Sequence, residues 1–523
     1  MSHLNKGTGL RKRKALQWPL LLILSAALTL WSMWQTGFNP LLVSAGLGDT
    51  ISYIYNDFLP PDWFSARELI KPLMETIYMS FAAMVISALV SIALALLSSD
   101  ATAPNKQLQS VIRTVTAVLR TIPEIIWVLL LVSSIGLGPM AGTFALMLAG
   151  IGLLTRCYSD VLDEMDRGQL EASRAVGAKW LQTVGQCVIP QFLPGFIAWS
   201  LYMLDLNIRS SAVIGMAGGG GLGFAIQEGI KLFQFQKVTM AIILVLVLIL
   251  AIEWLTEHLR SRLIGENQKS RTGNRLLFTV LIGCSFFFLF SVWKLKFQLS
   301  ELWTGFGGFV DMLLHLFPPS FADWTYVLSS ALESFYVAVV GTALAIVLSL
   351  GMSFLAASNL SPNRGVLWIV KGFASLMRAI PMLVWALVFI VSIGMGPLAG
   401  ILALAIHSMG MLIKVFAESI EEVDKGKIEA LRAVGAGWLT IITQAVFPMA
   451  AGSILSWSLL RLEIDIRYST ILGVVGAGGI GYELTRAMKM YKLDEAMFIL
   501  IVVFFMVYAV DWLGRYLKRT LIR

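Results

Sequence analysis

The chain of 523 residues contains the same segment twice, and this repetition constrains its fold more than any other feature. The segment EASRAVGA begins at Glu171, and EALRAVGA begins 258 residues later, at Glu429. The same offset, without a gap, aligns prolines, arginines, glycines and tryptophans along the two halves. Since an internal repeat must be interpreted as one structural unit used more than once, we predict two tandem repeats, at residues 1–265 and 266–523.

The composition indicates where these repeats fold. Apolar residues make up 57% of the chain and charged residues 14%, against roughly 45–50% and 25% in soluble domains. Apolar stretches approaching the roughly 20 residues of a membrane-crossing helix recur about six times per half. We therefore predict an all-α integral membrane protein with two parallel repeats of about six transmembrane helices each. The predicted spans lie near residues 18–34, 73–97, 113–133, 138–157, 189–216 and 237–258, and at the equivalent positions of the second half.

Lysines and arginines in the short loops predict the orientation, because such residues concentrate on the cytoplasmic side. Lys6 and the basic run 11–14 precede the first span, and Arg260 and Lys269 lie in the connector after the sixth. An even number of spans per half makes the repeats parallel, with a pathway expected between the halves. The net charge of +8 reflects these membrane anchors, so no nucleic-acid partner is expected.

One sizeable cytoplasmic loop is predicted in each half, at residues 158–188 and 416–446. In the first loop, Ala172, Val176 and Trp180 follow helical spacing, which gives a small apolar face. The glycine that follows, Gly177 in the first half, can end the helix with a left-handed turn before a second helical stretch. The pattern predicts a compact helix, glycine turn and helix in each half, which we call the knob.

A knob of this kind suits insertion into a groove on a partner protein, and an amphipathic helix resting on the lipid surface is the alternative. Two identical knobs favour a two-fold partner. Glutamate in the first turn also fits stabilisation of the helix through its dipole. The residues expected to couple each knob to a partner are Glu171, Ala172, Arg174, Gly177 and Trp180 in the first half, and Glu429, Ala430, Arg432, Gly435 and Trp438 in the second.

The spacing around the knobs resembles the inner-membrane permease family of binding-protein-dependent ABC importers. Its signature is EAA, three residues, G, nine residues and then I, any residue, LP; EASRAVG leads to CVIP, and EALRAVG to AVFP, with this spacing. The departures are Ser173, Leu431, Cys187, Ala445, Ile189 and Phe447. The segments RTIPEIIW, RAIPMLVW, GMAGGGGLG and GVVGAGGIG look most like the phosphonate permease branch, although methionine and quaternary-amine permeases share similar glycine-rich segments.

The resemblance implies a permease in the bacterial inner membrane with both permease copies in one chain, and the basic residues before the first span predict a cytoplasmic N-terminus. It implies two cytoplasmic ABC ATPase subunits seated on the knobs, and one periplasmic binding protein that delivers a phosphonate or a related phosphorus oxyanion. The chain lacks the GxxxxGK[ST] motif of a phosphate-binding loop, so ATP and magnesium are expected on the partner ATPase. The four histidines show no metal-ligand spacing, and no catalytic site, metal or cofactor is expected on this chain.

An ion-coupled secondary transporter is the rival from another class, because duplicated parallel six-span halves occur there too. A secondary transporter does not require the two knobs. Within the permease family, a methionine or quaternary-amine importer is the alternative. The glycine-rich segments after the fifth spans have two interpretations, a lining of the outer vestibule or simple close packing of helices.

Charges within the fifth spans are the candidates for the translocation pathway. Asp205 with Arg209, Glu463 with Arg467, and Arg461 with Asp465 each stand four residues apart and can meet on one helical face. An arginine beside a serine hydroxyl suits a phosphate-like anion, whereas an internal ion pair that ties helices together is the structural alternative. Arg120 and Arg378 are interpreted as inner-gate residues or as side chains that reach lipid phosphate. The pathway candidates are Arg209, Ser211, Arg467, Ser469, Arg120 and Arg378.

Overall fold

The computed structural model describes residues 23–39, 48, 51–52, 54–264, 271–297, 307–312 and 314–521, and the regular secondary structure in these ranges is helical. The chain divides into two compact units. One is Asp57–Phe317; the other combines Met1–Asn56 with Pro318–Arg523. The predicted sequence boundary between residues 265 and 266 stays a prediction.

A short helix over 23–35, α1, belongs to the unit that combines Met1–Asn56 with Pro318–Arg523. The unit Asp57–Phe317 contains the next nine helices, α2 to α10. The nine are α2 Ala66–Ser98, α3 Lys106–Thr121, α4 Glu124–Ile135, α5 Pro139–Asp163, α6 Arg167–Ala175, α7 Ile189–Ile214, α8 Gly221–Lys231, α9 Phe235–Ile264 and α10 Arg271–Lys294.

The other unit repeats the same order of long and short helices. Each helix from α11 onward has a counterpart at the 258-residue offset, to within a few residues at its ends. The helices are α11 Trp324–Ala356, α12 Arg364–Ala379, α13 Met382–Ile393, α14 Pro397–Glu421, α15 Lys425–Ala433, α16 Phe447–Val474, α17 Gly479–Lys489 and α18 Leu493–Leu521.

In the part of the chain that the structure describes, eight continuous helices are long and apolar enough to cross a membrane, and the number rises to ten if each of two bent helix pairs is one span. These ten fall where ten of the twelve spans were predicted. The remaining two are the first span of each half. The span near 18–34 lies partly outside the described residues, and its counterpart near 276–292 in α10 begins among residues whose side chains lie outside them. The described apolar part of α10 is Thr279–Lys294.

The third span of each half is broken, whereas the sequence predicted one continuous helix at 113–133 and its counterpart. The helices α3 and α4 meet at 86°, and α12 and α13 meet at 84°. Ile122 and Ile380, each directly before a proline, leave the helical region with ψ of 119° and 120°. The proline ring disfavours a helical conformation at the preceding residue, so Pro123 and Pro381 cause the breaks. The prediction of an unbroken third span was wrong.

Small and hydroxylated residues bring the central helices of each unit close together. The Ser91 hydroxyl on α2 donates to the Ile151 carbonyl on α5 at 3.3 Å, and Ser349 on α11 donates to the Met409 carbonyl on α14 at the same distance. These residues occupy equivalent positions in the two repeats. Since hydrocarbon offers no competing partner, small residues and interhelical hydrogen bonds are the usual means of helix association in membranes.

The glycine-rich segments form tight turns packed inside each unit. The Gly138 N–H donates to the Gly218 carbonyl at 2.9 Å, which joins the turn after α7 to the start of α5. The Leu222 N–H, on α8, donates to the Thr76 hydroxyl at 2.9 Å. Residues 218–223 are all buried. Of the two interpretations given to this segment, the structure supports close packing rather than the lining of a vestibule.

Two equivalent glycines, Gly223 and Gly481, allow this packing, and alanine at these positions should destabilise the protein. A methyl group there would overlap the main-chain carbonyl oxygens of Ala212 and Thr470. Overpacking of this kind costs roughly 1–3 kcal/mol and occasionally more, because side chains and backbone atoms must move. We expect Gly223→Ala and Gly481→Ala each to lower the melting temperature of the purified protein in detergent.

The control is Gly452→Ala on α16, where nothing lies within 4 Å of an added methyl group. It should leave the melting temperature near that of the unmodified protein. Equal melting temperatures for all three variants would contradict the packing assigned to the glycine-rich turns.

Candidate functional site

The two predicted knobs are present. In the first, α6 ends at Ala175 and Gly177 adopts a φ of +77°; in the second, α15 ends at Ala433 and Gly435 adopts a φ of +78°. Each turn leads into a short helical stretch that continues to the fifth span. Glycine is the residue that reaches this left-handed conformation without steric cost. The helix, glycine turn and helix therefore form as the sequence predicted.

A valine directly before each glycine marks the tip of the knob and is exposed. Val176 is 83% exposed and Val434 is 79% exposed. The small residues Ala172 and Ala430 on the same helices are also exposed. An apolar tip that the chain itself does not bury is available to a partner.

The second knob is fixed to its own unit by the two larger side chains proposed for coupling. Arg432 donates from Nη2 to the Asn359 carbonyl at 2.9 Å, and Trp438 donates from Nε1 to the Leu360 carbonyl at 2.9 Å. Both carbonyls lie in the loop between α11 and α12. These bonds position the tip, while Glu429 remains exposed. The side chains of Glu171, Arg174 and Trp180 in the first knob lie outside the described residues.

The two arginines proposed for the pathway, Arg209 and Arg467, each lie near a carboxylate on the sixth span. Arg209 on α7 lies 3.1 Å from Asp205 and 3.5 Å from Glu253 on α9. Arg467 on α16 lies 4.0 Å from Asp511 on α18, at the position equivalent to Glu253. In the first half, two carboxylates surround one guanidinium group, which is an unfavourable electrostatic environment for an anion. The contacts favour the interpretation of an ion pair that ties helices together.

The serines beside these arginines are bound to their own helices. The Ser211 hydroxyl donates to the Ile208 carbonyl at 2.7 Å, and the Ser469 hydroxyl donates to the Ile466 carbonyl at 2.8 Å. Both serines are buried. Their hydroxyls satisfy the main chain in this conformation, as serine commonly does inside a helix.

A buried ion pair occurs on α16 at a point where α11, α14 and α16 pack together. Arg461 and Asp465 approach to 2.8 Å with 3% and 0% of their side chains exposed. The Asp465 carboxylate also accepts from the Thr342 hydroxyl of α11 at 2.8 Å and from the Ser408 hydroxyl of α14 at 2.8 Å. The sequence indicated the pair through its spacing of four, but not the two hydroxyl partners, which come from distant segments.

The first repeat carries no such pair: its equivalent residues are Met203 and Asn207. Asn207 instead donates from Nδ2 to the Ser80 carbonyl of α2 at 3.1 Å. The same helix crossing is therefore joined by a neutral hydrogen bond in one repeat and by a charged network in the other. The duplication is exact in spacing and has diverged in chemistry here.

This divergence predicts a strongly non-additive pair of substitutions. Arg461→Met or Asp465→Asn alone leaves the other charge buried without its partner, which costs roughly 3–5 kcal/mol. The double variant Arg461→Met with Asp465→Asn copies the first repeat and removes both charges. We expect each single variant to lower the melting temperature in detergent markedly, and the double variant to recover most of the loss. A double variant that melts as low as the two losses added together would contradict this account.

The two remaining pathway candidates lie away from the fifth spans. Arg378, on the last turn of α12, lines a cavity of about 180 Å³ between α12 and α14. Arg120 is its equivalent at the end of α3, and Gly152 packs against the Arg120 main chain. In the described part of the chain, no group of three or more His, Cys, Asp or Glu side chains is placed to hold a metal ion.

Comparison with known proteins identifies the family. The model of the binding-protein-dependent transport system inner membrane component matches twice, at residues 91–265 and 349–523. The chain is 33% identical over 500 residues to the phosphate-import permease protein PhnE of Mycolicibacterium smegmatis, covering 94% of this chain and 93% of that protein.

Two further relatives match shorter parts of the chain. The phosphite transport system permease protein PtxC of Stutzerimonas stutzeri is 34% identical over 220 residues, covering 42% of this chain and 80% of that protein. The methionine import system permease protein MetP of Bacillus subtilis is 31% identical over 156 residues, covering 28% of this chain and 70% of that protein. The chain belongs to the binding-protein-dependent transport system inner membrane component family, as a multi-pass membrane protein that carries two copies of the permease domain.

Proposed function

We propose that the chain is the complete transmembrane part of an ATP-driven ABC importer for phosphonates or a related phosphorus oxyanion. The observation that carries the proposal is the similarity to a phosphate-import permease along 94% of the chain, both repeats included. A phosphite permease is similar to 42% of the chain, whereas the methionine permease matches 28%. Phosphorus oxyanions are therefore the substrate class that the relatives support best.

The two knobs are the proposed docking points for two cytoplasmic ATPase subunits. The exposed tips, Val176 and Val434, supply apolar surface at equivalent positions, as a pair of identical subunits requires. The bonds made by Arg432 and Trp438 connect the second tip to the loop before α12. Movement of the tip is thereby passed to the membrane helices. ATP binding and hydrolysis on the partner then bias a two-state membrane element.

We assign substrate selection to a separate periplasmic binding protein rather than to a strong site on this chain. Arg209 and Arg467 remain the proposed pathway residues, with Ser211 and Ser469 beside them. In the conformation described, two carboxylates lie within 3.5 Å of Arg209 and one lies 4.0 Å from Arg467, so an oxyanion at either arginine must compete with a carboxylate. Any contact with the substrate here is therefore weak and transient, which suits release into the cytoplasm.

The proposed orientation places the N-terminus and both knobs in the cytoplasm of a bacterium, with the glycine-rich turns at the opposite end of the spans. The proposed functional repeats are residues 1–265 and 266–523, each with one permease domain match and one knob. Of the basic residues that support this orientation, Lys6, the run 11–14 and Lys269 lie outside the described residues, whereas Arg260 lies near the end of α9.

The docking proposal predicts that Val176→Asp combined with Val434→Asp abolishes coupling without unfolding the permease. Both side chains are exposed, so the substitutions leave the interior unchanged. A carboxylate in an apolar groove of the partner carries an uncompensated desolvation cost. In proteoliposomes that contain the ATPase and binding protein encoded beside this gene, we expect at least a tenfold loss of ligand-stimulated ATP hydrolysis.

A matched control is Leu232→Asp combined with Met490→Asp, which places the same charges at exposed equivalent positions at the other end of the spans. This control should still purify together with the ATPase, whereas the tip variant should not. Retention of the ATPase by the tip variant, with a normal melting temperature, would remove the knobs from the proposed mechanism.

A further inference from the structure

We propose that the cavity between α12 and α14 binds the phosphate group of an anionic lipid from the cytoplasmic leaflet. The proposal rests on the orientation proposed above but not on the transported substrate. Three basic side chains line the cavity, with two carboxylates: Lys371, Arg378, Lys414, Glu418 and Glu421. The group carries one net positive charge.

The cavity is large enough and suitably lined for a phosphate diester. Its volume of about 180 Å³ is roughly 12 to 18 times the 10–15 Å³ that one water needs. Apolar and small residues, including Ala356, Ala374 and Ile413, form the rest of its wall. Basic pockets between membrane helices on the cytoplasmic side are a recurring way of binding anionic headgroups.

The two lysines form weak ion pairs, so their ammonium groups can also bind an anionic ligand. Lys371 lies 3.3 Å from Glu421, and Lys414 lies 3.8 Å from Glu418. The side chains of these lysines are 43% and 56% exposed, so each ion pair contributes little by itself. A phosphate between the lysines and Arg378 adds charge-assisted bonds, and the ion pairs with which it competes at the two lysines are partly exposed.

The cavity lies at the same end of the unit as the second knob. The loop between α11 and α12 accepts the bonds from Arg432 and Trp438, and in the same loop the Ser358 N–H donates to Glu421 at the cavity wall, at 2.7 Å. A ligand in the cavity therefore lies beside the segment that carries the knob.

Lipid is favoured as the source of the phosphate because α12 is amphipathic and its apolar side is exposed. Trp368 and Ile369 are each 72% exposed, and Leu376 is 51% exposed, whereas Lys371 and Arg378 line the cavity. A helix with an exposed apolar stripe and a basic side is typical of the membrane interface. A free oxyanion makes no favourable contact with the exposed apolar side of α12, whereas lipid chains do.

The first repeat provides a natural comparison at equivalent positions. Arg113, Arg120 and Arg156 replace the three basic residues, but Arg113 pairs with Asp100 at 3.2 Å as well as with Asp163 at 3.5 Å. Asp100 stands where the second repeat has Ser358. The additional carboxylate removes the excess positive charge, so the proposed lipid site belongs to the second repeat.

The test uses the full chain purified in detergent. It is titrated with phosphatidylglycerol, phosphatidylcholine or inorganic phosphate. Binding is measured by native mass spectrometry and by the shift in melting temperature. We expect saturable binding of phosphatidylglycerol only. The variant Arg378→Gln with Lys414→Gln should weaken it roughly 30-fold, since each basic residue near an anionic headgroup contributes about fivefold.

Ser358→Asp is the second variant, and it keeps the fold because Ser358 is exposed. By copying the first repeat it should weaken phosphatidylglycerol binding about fivefold. Lys427→Gln with Lys489→Gln removes two exposed charges elsewhere and should change nothing. Equal binding of both lipids, or unchanged affinity in Ser358→Asp, would overturn the proposal. A shift produced equally by inorganic phosphate would also overturn it, by identifying a free oxyanion as the ligand.

Discussion

The pairing of polar groups inside a hydrocarbon environment is the constraint on which the rest of this structure depends. Where water is excluded, each main-chain and side-chain polar group must find its partner within the protein. Within a helix, the main-chain N–H and carbonyl groups bond to each other. Where a helix is interrupted, these groups bond to specific partners elsewhere in the unit. In the turn after α7, the Gly218 carbonyl accepts from the Gly138 N–H, and at the start of α8 the Leu222 N–H donates to the Thr76 hydroxyl. The Asp465 carboxylate is satisfied by an arginine and two hydroxyls.

Much of the architecture follows directly from patterns that the sequence displays. The repeat offset predicted equivalent helices, and Ser91 and Ser349 make the same interhelical bond in both repeats. The glycine after each EAA segment predicted the left-handed turn of the knob, and both turns are present. These features could be predicted from the sequence because each depends on local conformation or on the fixed spacing of the repeat.

Other features depend on which distant segments pack together, and the sequence alone did not reveal them. Arg209 and Arg467 lie beside carboxylates on the following span, Glu253 and Asp511, which the spacing of charges within the fifth spans did not indicate. The broken third spans were missed because the apolar run continues through Pro123 and Pro381, and hydropathy conceals the conformational effect of proline. The basic cavity beside α12 required knowledge of how that helix faces α14.

The central claim is that this single chain forms the whole membrane pathway of an ATP-driven importer of phosphorus oxyanions. The most direct measurement is uptake of labelled phosphate, phosphite, a phosphonate or methionine into proteoliposomes that contain the chain, its ATPase and its binding protein. We predict ATP-dependent uptake of a phosphorus oxyanion, with two ATPase subunits for each chain. ATP-dependent uptake of methionine alone, or uptake driven by an ion gradient without ATP, would contradict it.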